Sequence, residues 1–198
     1  MGIISISGKI GSGKDTVANL IMQLTPTKNW KIKKFAGKLK QVATLITGVS
    51  IEKWEDQEFK QTQLGAEWSM TARDFLQKLG TEAIRDGLHS NAWVNALFAD
   101  YKVQTVYEGE WDYFEKQIEP NWIITDTRFP NEIEAIQNRN GILIKVIRDS
   151  GNTVGTGHSS ETALDDFNQW NYVIENNGTI EDLKQKISEI LLKEKITI

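Results

Sequence analysis

The stretch Ile3-Ile-Ser-Ile-Ser-Gly-Lys-Ile-Gly-Ser-Gly-Lys-Asp-Thr16 decides how the rest of this chain is read. Ile3 to Ser7 is a β-branched run cut off by Gly8, the pattern of a short strand. From Asp15 the apolar residues Val17, Leu20, Ile21 and Leu24 recur at helical spacing until Pro26 closes the helix. Between strand and helix lie Gly8, Lys9, Gly11, Ser12, Gly13, Lys14, Asp15 and Thr16. Glycines in such a loop let successive main-chain N–H groups turn onto one anion. The lysine reaches the outer phosphates of a nucleotide, and the helix N-terminus adds its dipole. The context therefore points to a phosphate cradle. The alternatives are a glycine-rich turn without a ligand and a dinucleotide fingerprint, and the fingerprint lacks a glycine where Thr16 stands.

The general cradle pattern places Ser or Thr directly after the lysine as a Mg²⁺ ligand. Here Asp15 takes that place and Thr16 follows. Asp15 acts on the metal, directly or through water, or reaches an incoming substrate, or is only a first-turn acid favoured by the helix dipole.

Composition bounds what surrounds the cradle. The chain has 198 residues, a length that suits one domain, with 39% apolar and 25% charged residues, as in an ordinary globular fold. It has no cysteine, which excludes a disulfide scaffold, a thiolate metal site and a catalytic thiol; nothing contradicts a reducing cytosol. No apolar run approaches the ~20 residues of a membrane helix, and the first residues resemble neither a signal peptide nor a myristoylation site. A net charge of −4 argues against indiscriminate binding to nucleic acid. A basic pocket for a small anion stays allowed.

Further along, Trp30 to Phe35 suits a second strand, and residues 37–107 read as mostly helical. Asn121 to Asp126 and Gly141 to Ile147 read as buried strands, with a helix over Asn131–Arg139 between them. Tyr172 to Glu175 is a last strand and Thr179 to Lys193 a last helix, opened by a Thr179-x-x-Asp182 capping signature. Apolar strands alternating with helices imply a mostly parallel sheet covered on both faces, in one domain over 1–198, with 37–107 as a helical insert.

Trp122-Ile-Ile-Thr-Asp126 resembles a Walker B strand, whose terminal acid orients Mg²⁺. Arg128 follows two residues later and could neutralise charge on a transferring phosphoryl group; a surface ion pair with Asp126 is the plainer alternative. In the insert, Thr71-x-x-Asp74 is a capping signature. After it Arg73, Gln77, Thr81 and Arg85 recur every four residues along one helix edge. Two cations with amide and hydroxyl groups suit a monophosphate and a base, although a solvated face has the same composition. Trp93 could stack on a base, but core packing explains most of seven tryptophans.

Taken together, the cradle, the segment Arg73 to Glu82 continuing to Arg85 and Trp93-Val94, and Asp126-Thr-Arg-Phe-Pro-Asn-Glu132 resemble the deoxynucleoside monophosphate kinases of tailed bacteriophages. His158-Ser-Ser-Glu161 and Tyr172 to Thr179 are similar to that family as well. The resemblance runs in order along nearly the whole chain, and Asp15 after the lysine is normal for it. It implies a P-loop kinase fold with a mostly parallel five-stranded sheet, helices on both faces and a helical substrate-binding insert. The implied reaction moves the γ-phosphoryl of ATP to a deoxynucleoside monophosphate, with Mg²⁺, in a host cytoplasm.

Residue by residue, the resemblance implies that Gly8 to Thr16 hold ATP phosphates and that Arg73, Gln77 and Arg85, with Trp93 beside them, hold the acceptor. Lys14, Asp15, Asp126 and Arg128 would face the reacting phosphates, with Thr16 and Asp126 toward the metal. The backbone of the loop Asn176-Asn-Gly-Thr179, Asn177 and Gly178 in particular, would flank the adenine, unless the Asn-Gly pair is only a turn before a capped helix. Residues 148–160, rich in glycine, are expected to form a lid with Arg148 near its base. Partners would be small nucleotides, not nucleic acid or membrane; a homodimer stays open. Rival readings are a P-loop kinase for phosphomevalonate or dephospho-coenzyme A, and a nucleotide-hydrolysing switch or motor, although the sequence has no guanine-reading motif and no glutamate directly after Asp126 to activate water.

Overall fold

The computed structural model describes residues 2–108, 114–149 and 162–196. The chain divides into two compact units, one of Met1–Lys33 with Tyr101–Ile198 and the other of Lys34–Asp100.

The first unit is built on a five-stranded sheet of order β2-β5-β1-β6-β7, every pairing parallel. Its strands are β1 (Ile3–Ser7), β2 (Lys31–Lys33), β5 (Trp122–Ile124), β6 (Ile142–Ile147) and β7 (Tyr172–Glu175). All five residues of the central β1 are buried, as expected for a strand covered on both faces. Ile4 lies opposite Ile123 and Ile142, and these residues share one core with Val17 and Ile21 of α1 (Lys14–Leu24). Leu183, Ile187 and Leu191 of the last helix, α7 (Ile180–Lys193), complete that core. On the other face α6 (Pro130–Gln137) buries Ile133 and Ile136, and Gly141 passes so close that an added Cβ would sit 2.5 Å from Ile136 Cγ2. Ser5 and Ser7 share that face through strand alternation.

Beside this sheet, β3 (Gln104–Glu108) and β4 (Phe114–Ile118) form a separate antiparallel pair with Gln104 opposite Ile118. The helical text expected to continue to Tyr107 therefore ends with α5 (Ala92–Phe98). Pairing between segments ten residues apart supplies the strand, and neither segment carries the apolar run that marks the sheet strands.

The second unit holds α2 (Phe35–Thr47), a 3₁₀ turn at Ile51–Glu55, α3 (Gln57–Gln61), α4 (Ala72–Gln77) and α5. Trp54, wholly buried, stacks on Phe75 at 6.1 Å, and Trp68 meets Phe75 edge-on at 4.9 Å. Thr71 and Asp74 form the capping box their spacing predicts, with Asp74 N donating to Thr71 Oγ1 at 3.1 Å. The α-helix the sequence suggests over this region changes character at Lys78, where a π-helical segment runs to Asp86. Gly80 is pressed against Leu39, and its carbonyl accepts the Trp93 indole N–H at 2.8 Å. That side-chain donor serves a backbone carbonyl where the α-helical ladder is interrupted.

Candidate active site

β1 ends in a loop with three glycines at positive φ: Gly8 (152°), Gly11 (78°) and Gly13 (100°). An L side chain rarely adopts those angles, and at Gly8 a Cβ would also stand 2.3 Å from the Val146 carbonyl. Lys14 folds back over the loop and donates to the carbonyls of Gly8 (2.7 Å) and Lys9 (2.9 Å). Ser12 turns back through its N–H to Lys9 O at 3.2 Å, and its buried hydroxyl has no partner among the described residues. Gly13 gives α1 no side-chain cap, while Asp15 and Thr16 stand exposed in its first turn. Lys9 is exposed and lies 3.9 Å from Asp165, a surface pair of little energetic weight.

The second wall follows β5. Thr127, between Asp126 and Arg128, is fixed from the central strand: Ser7 Oγ donates to its carbonyl at 2.8 Å, and Ser5 Oγ pairs with its hydroxyl at 2.8 Å. From the other side Glu132, 6% exposed, accepts the main-chain N–H groups of Arg128 (2.6 Å) and Phe129 (3.0 Å). The Asp126–Arg128 segment therefore hangs from the same strand that carries the glycine loop. Asp126 and Arg128 are both half-buried.

The third wall is the loop after β7. Asn176 Nδ2 donates to Ser12 O at 2.9 Å, and an added Cβ at Gly13 would lie 2.4 Å from that nitrogen. Asn177 exchanges two hydrogen bonds with Asp149, each 2.8 Å, so its amide is engaged with the segment after β6. Gly178 closes on the α7 capping box, where a Cβ would meet Asp182 Oδ2 at 2.6 Å. Hydrogen bonds from Thr179 main chain and hydroxyl hold the Asp182 carboxyl below its usual range. Arg148 is exposed. The lid expected over 148–160 lies outside the described residues from Ser150 onward, as does His158.

In the helical unit, Arg73, Gln77, Thr81 and Arg85 are all half-buried, while the adjacent row Asp74, Lys78, Glu82 and Asp86 is exposed. A wholly solvated polar face would not separate the rows in this way. Residues four apart run slightly past one turn of an α-helix and fall short of a turn in the wider π-helix, so the passage from one to the other keeps the row in line. Gln61, with its amide oriented to suit, accepts from Arg73 Nε (3.3 Å) and Nη2 (2.9 Å). The half-buried Trp93 has its indole N–H committed to Gly80.

Cations gather in this unit. Lys40, nearly buried, donates to Glu55 Oε1 at 2.5 Å. Burial would raise the Glu55 carboxyl, but Lys40, with Lys34 and Lys60 near it, brings it below its usual range. The Lys60 ammonium is lowered by burial and then by repulsion from Lys40, Arg73 and Lys34, which Glu55 only partly offsets. Such surroundings favour an additional anion.

Sequence reasoning missed Ser5, Ser7 and Glu132, and it placed Asn176 only in the loop expected to flank the adenine, without the role of its side chain. Two serines on a strand otherwise built of isoleucine were a usable signal, because a buried hydroxyl needs a partner. Glu132, third in a helix opened by Pro130, was another. Asn176 carried no local signal, since its partner is 164 residues away.

Among the described residues no group of three or more His, Cys, Asp or Glu side chains could hold a metal, and no helix is long and apolar enough to cross a membrane.

Residues 38–187 match the family model described as deoxynucleotide monophosphate kinase. A protein of Acanthamoeba polyphaga mimivirus, provisionally named a deoxynucleotide monophosphate kinase, is 30% identical over 195 residues, covering 94% of each chain. The deoxynucleoside-5'-monophosphate kinase of Escherichia phage T5 is 28% identical over 211 residues, with 82% of this chain and 84% of the relative covered. A deoxynucleotide monophosphate kinase of Escherichia phage RB69 is 29% identical over 124 residues, 63% of this chain and 45% of its own. The family match begins after the phosphate loop and takes in both the polar row of the helical unit and the Asp126–Arg128 wall. A likeness that spans both units is more than a shared phosphate loop, and the chain belongs to the deoxynucleotide monophosphate kinase family.

Proposed function

We propose that this chain transfers the γ-phosphoryl group of ATP to a deoxynucleoside monophosphate, releasing ADP and the deoxynucleoside diphosphate. One observation carries the assignment of roles: a glycine loop of positive φ and a segment bearing Asp126 and Arg128 are anchored to the same buried strand. The loop suits a polyphosphate, and the segment suits the charge that shifts when the outermost phosphate moves.

In this reading Gly8 to Thr16 hold the phosphates of ATP, with Lys14 leaving the loop carbonyls for the phosphate oxygens. Arg148, Asn177 and Gly178 flank the donor nucleotide. Arg73, Gln77 and Arg85 hold the acceptor, with Trp93 beside it. The half-buried row and the cationic surroundings of Lys60 support that side.

Thr16 and Asp126 offer only oxygen donors, with Asp15 adjacent. This set fits Mg²⁺ held jointly by protein, water and nucleotide phosphates rather than by a protein cage. When bound, Mg²⁺ would supply neutralisation of phosphate charge. A phosphate oxygen of the acceptor attacks the γ-phosphorus, and the bond to the β–γ bridging oxygen breaks, with the electron pair leaving on ADP. The acceptor is already anionic, so no strong base is required. Lys14 and Arg128 neutralise charge, and alignment does the rest.

The test is a panel of deoxynucleoside and ribonucleoside monophosphates with ATP, scored for ADP and for the phosphorylated acceptor. At least one deoxynucleoside monophosphate should give ADP and diphosphate in equal amounts. ADP released without a phosphorylated acceptor, or turnover only with phosphomevalonate or dephospho-coenzyme A, would overturn the assignment.

A further inference from the structure

We infer that Asn176 is a positioning residue that sets which way the Ser12–Gly13 peptide faces, and so aims the Gly13 N–H at the bound polyphosphate. This rests on the reading of Gly8 to Thr16 as the triphosphate cradle. Asn176 does not itself touch the nucleotide in this scheme.

The Asn176 amide donates to the Ser12 carbonyl at 2.9 Å, which draws that oxygen toward the loop after β7. No peptide bond here is cis, and in a planar trans peptide C=O and N–H point in opposite directions. Fixing the Ser12 oxygen outward therefore fixes the Gly13 N–H away from Asn176. At φ 100° and ψ 22° Gly13 lies in the left-handed region that glycine adopts freely, so its own backbone preference does not fix the peptide before it, and the Asn176 donor supplies that hold. The approach is also sterically matched, because a Cβ at position 13 would fall 2.4 Å from Asn176 Nδ2.

Asn176 is itself well anchored. Its main-chain N–H donates to Ile147 O at 2.7 Å, extending the pairing of β6 and β7 by one residue. Asn177 next to it is locked to Asp149. A rigid sheet edge thus presents a side-chain donor to a loop whose glycines leave its peptides free to turn.

Asn176→Ala removes the donor. Asn176→Asp keeps the shape but sets a carboxylate against the Ser12 carbonyl, and serves if the alanine variant folds poorly. Steady-state kinetics with ATP and a turned-over acceptor are measured for both variants, with tripolyphosphate as an inhibitor competing with ATP. The expected result is a KM for ATP and an inhibition constant for tripolyphosphate raised together, by about three- to tenfold for alanine and more for aspartate. The KM for the acceptor stays within twofold. If tripolyphosphate competes equally well in wild type and both variants, the role of Asn176 is refuted while the cradle stands. A parallel rise of both KM values with a lowered melting temperature would mark a merely structural residue and equally refute it. Wild-type turnover that tripolyphosphate does not inhibit would sink the cradle reading and this inference with it.

Discussion

Glu132 Oε2 stands 2.6 Å from the main-chain nitrogen of Arg128, so a buried carboxylate holds the backbone of the residue proposed to neutralise the transferring phosphoryl group. Phe129 N shares the same oxygen at 3.0 Å. Glu132→Ala should leave both donors without that partner and cost about 3 kcal/mol. Glu132→Gln keeps an acceptor oxygen and should cost about 1 kcal/mol. At roughly 2–4 °C per kcal/mol for a chain of this size, the two variants separate clearly in a thermal melt. The kcat of the glutamine variant should fall more than its melting temperature suggests, because the Arg128 backbone loses its charged anchor. A wild-type kcat in Glu132→Gln would refute the positioning role.

Lys14 spans two loop carbonyls, at 2.7 and 2.9 Å, and exchanges them for phosphate oxygens in the proposed complex. Lys14→Met should lower kcat by at least about 10²-fold, the scale for removing one preorganised charge stabiliser. Asp15 is exposed, so Asp15→Asn should leave stability within about 0.5 kcal/mol while turnover drops. Circular dichroism melts beside kinetics check both expectations. An active Asp15→Asn enzyme would reduce Asp15 to a first-turn acid.

Arg73 and Arg85 occupy the half-buried row of the helical unit. Replacing either with Lys keeps the charge but loses the planar fork that suits a phosphate or a base edge. Each Arg→Lys variant should raise the KM for the acceptor by about tenfold and leave the KM for ATP unchanged. Saturation curves run separately for the two substrates make the distinction. A rise in the KM for ATP alone would move these residues to the donor side.

Tyr172 donates to Glu194 at 2.6 Å, tying the edge strand to the end of the last helix. That bond, then burial, pushes the phenol up to about 12. A raised folded value means the stabilisation is complete below about pH 10, the ordinary phenol value, and is lost as pH climbs from there toward 12. The stability difference between wild type and Tyr172→Phe should therefore be constant up to about pH 10 and shrink above it. Urea midpoints at a series of pH values measure it, and a difference that is flat through pH 12 would contradict the assignment.

The sheet and the loop were legible because each rests on local chemistry. Ile3 to Ser7 is a β-branched run cut off by glycine, the pattern of the buried strand it forms, and Gly8, Gly11 and Gly13 stand where φ is positive. Both Thr–Asp capping boxes were readable for the same reason, with donor and acceptor three residues apart. What escaped depends on distant parts of the chain. The Ser5–Thr127 and Asn176–Ser12 bonds join residues 122 and 164 positions apart. The π-helical turn at Lys78–Asp86 is associated with Trp93 and Leu39, and the chain around Gly80 gives no sign of either. The β3–β4 pair lacks an apolar run, so only its cross-strand register reveals it.

Thr127 is where fold and site meet, since its hydroxyl and its carbonyl are both taken by serines of the central strand. Thr127→Val preserves shape but deprives Ser5 Oγ, itself fully buried, of its partner; the expected cost is about 1–3 kcal/mol. Ser5→Ala combined with Thr127→Val removes both polar groups, so the double variant should recover part of that loss. The Ser7 bond to the Thr127 carbonyl survives in every variant, so the Asp126–Arg128 segment should keep its course and kcat should stay within about threefold. A double-mutant cycle in denaturant supplies the coupling energy. If the double variant is less stable than Thr127→Val alone, the hydroxyl pair is not what binds this segment to the sheet.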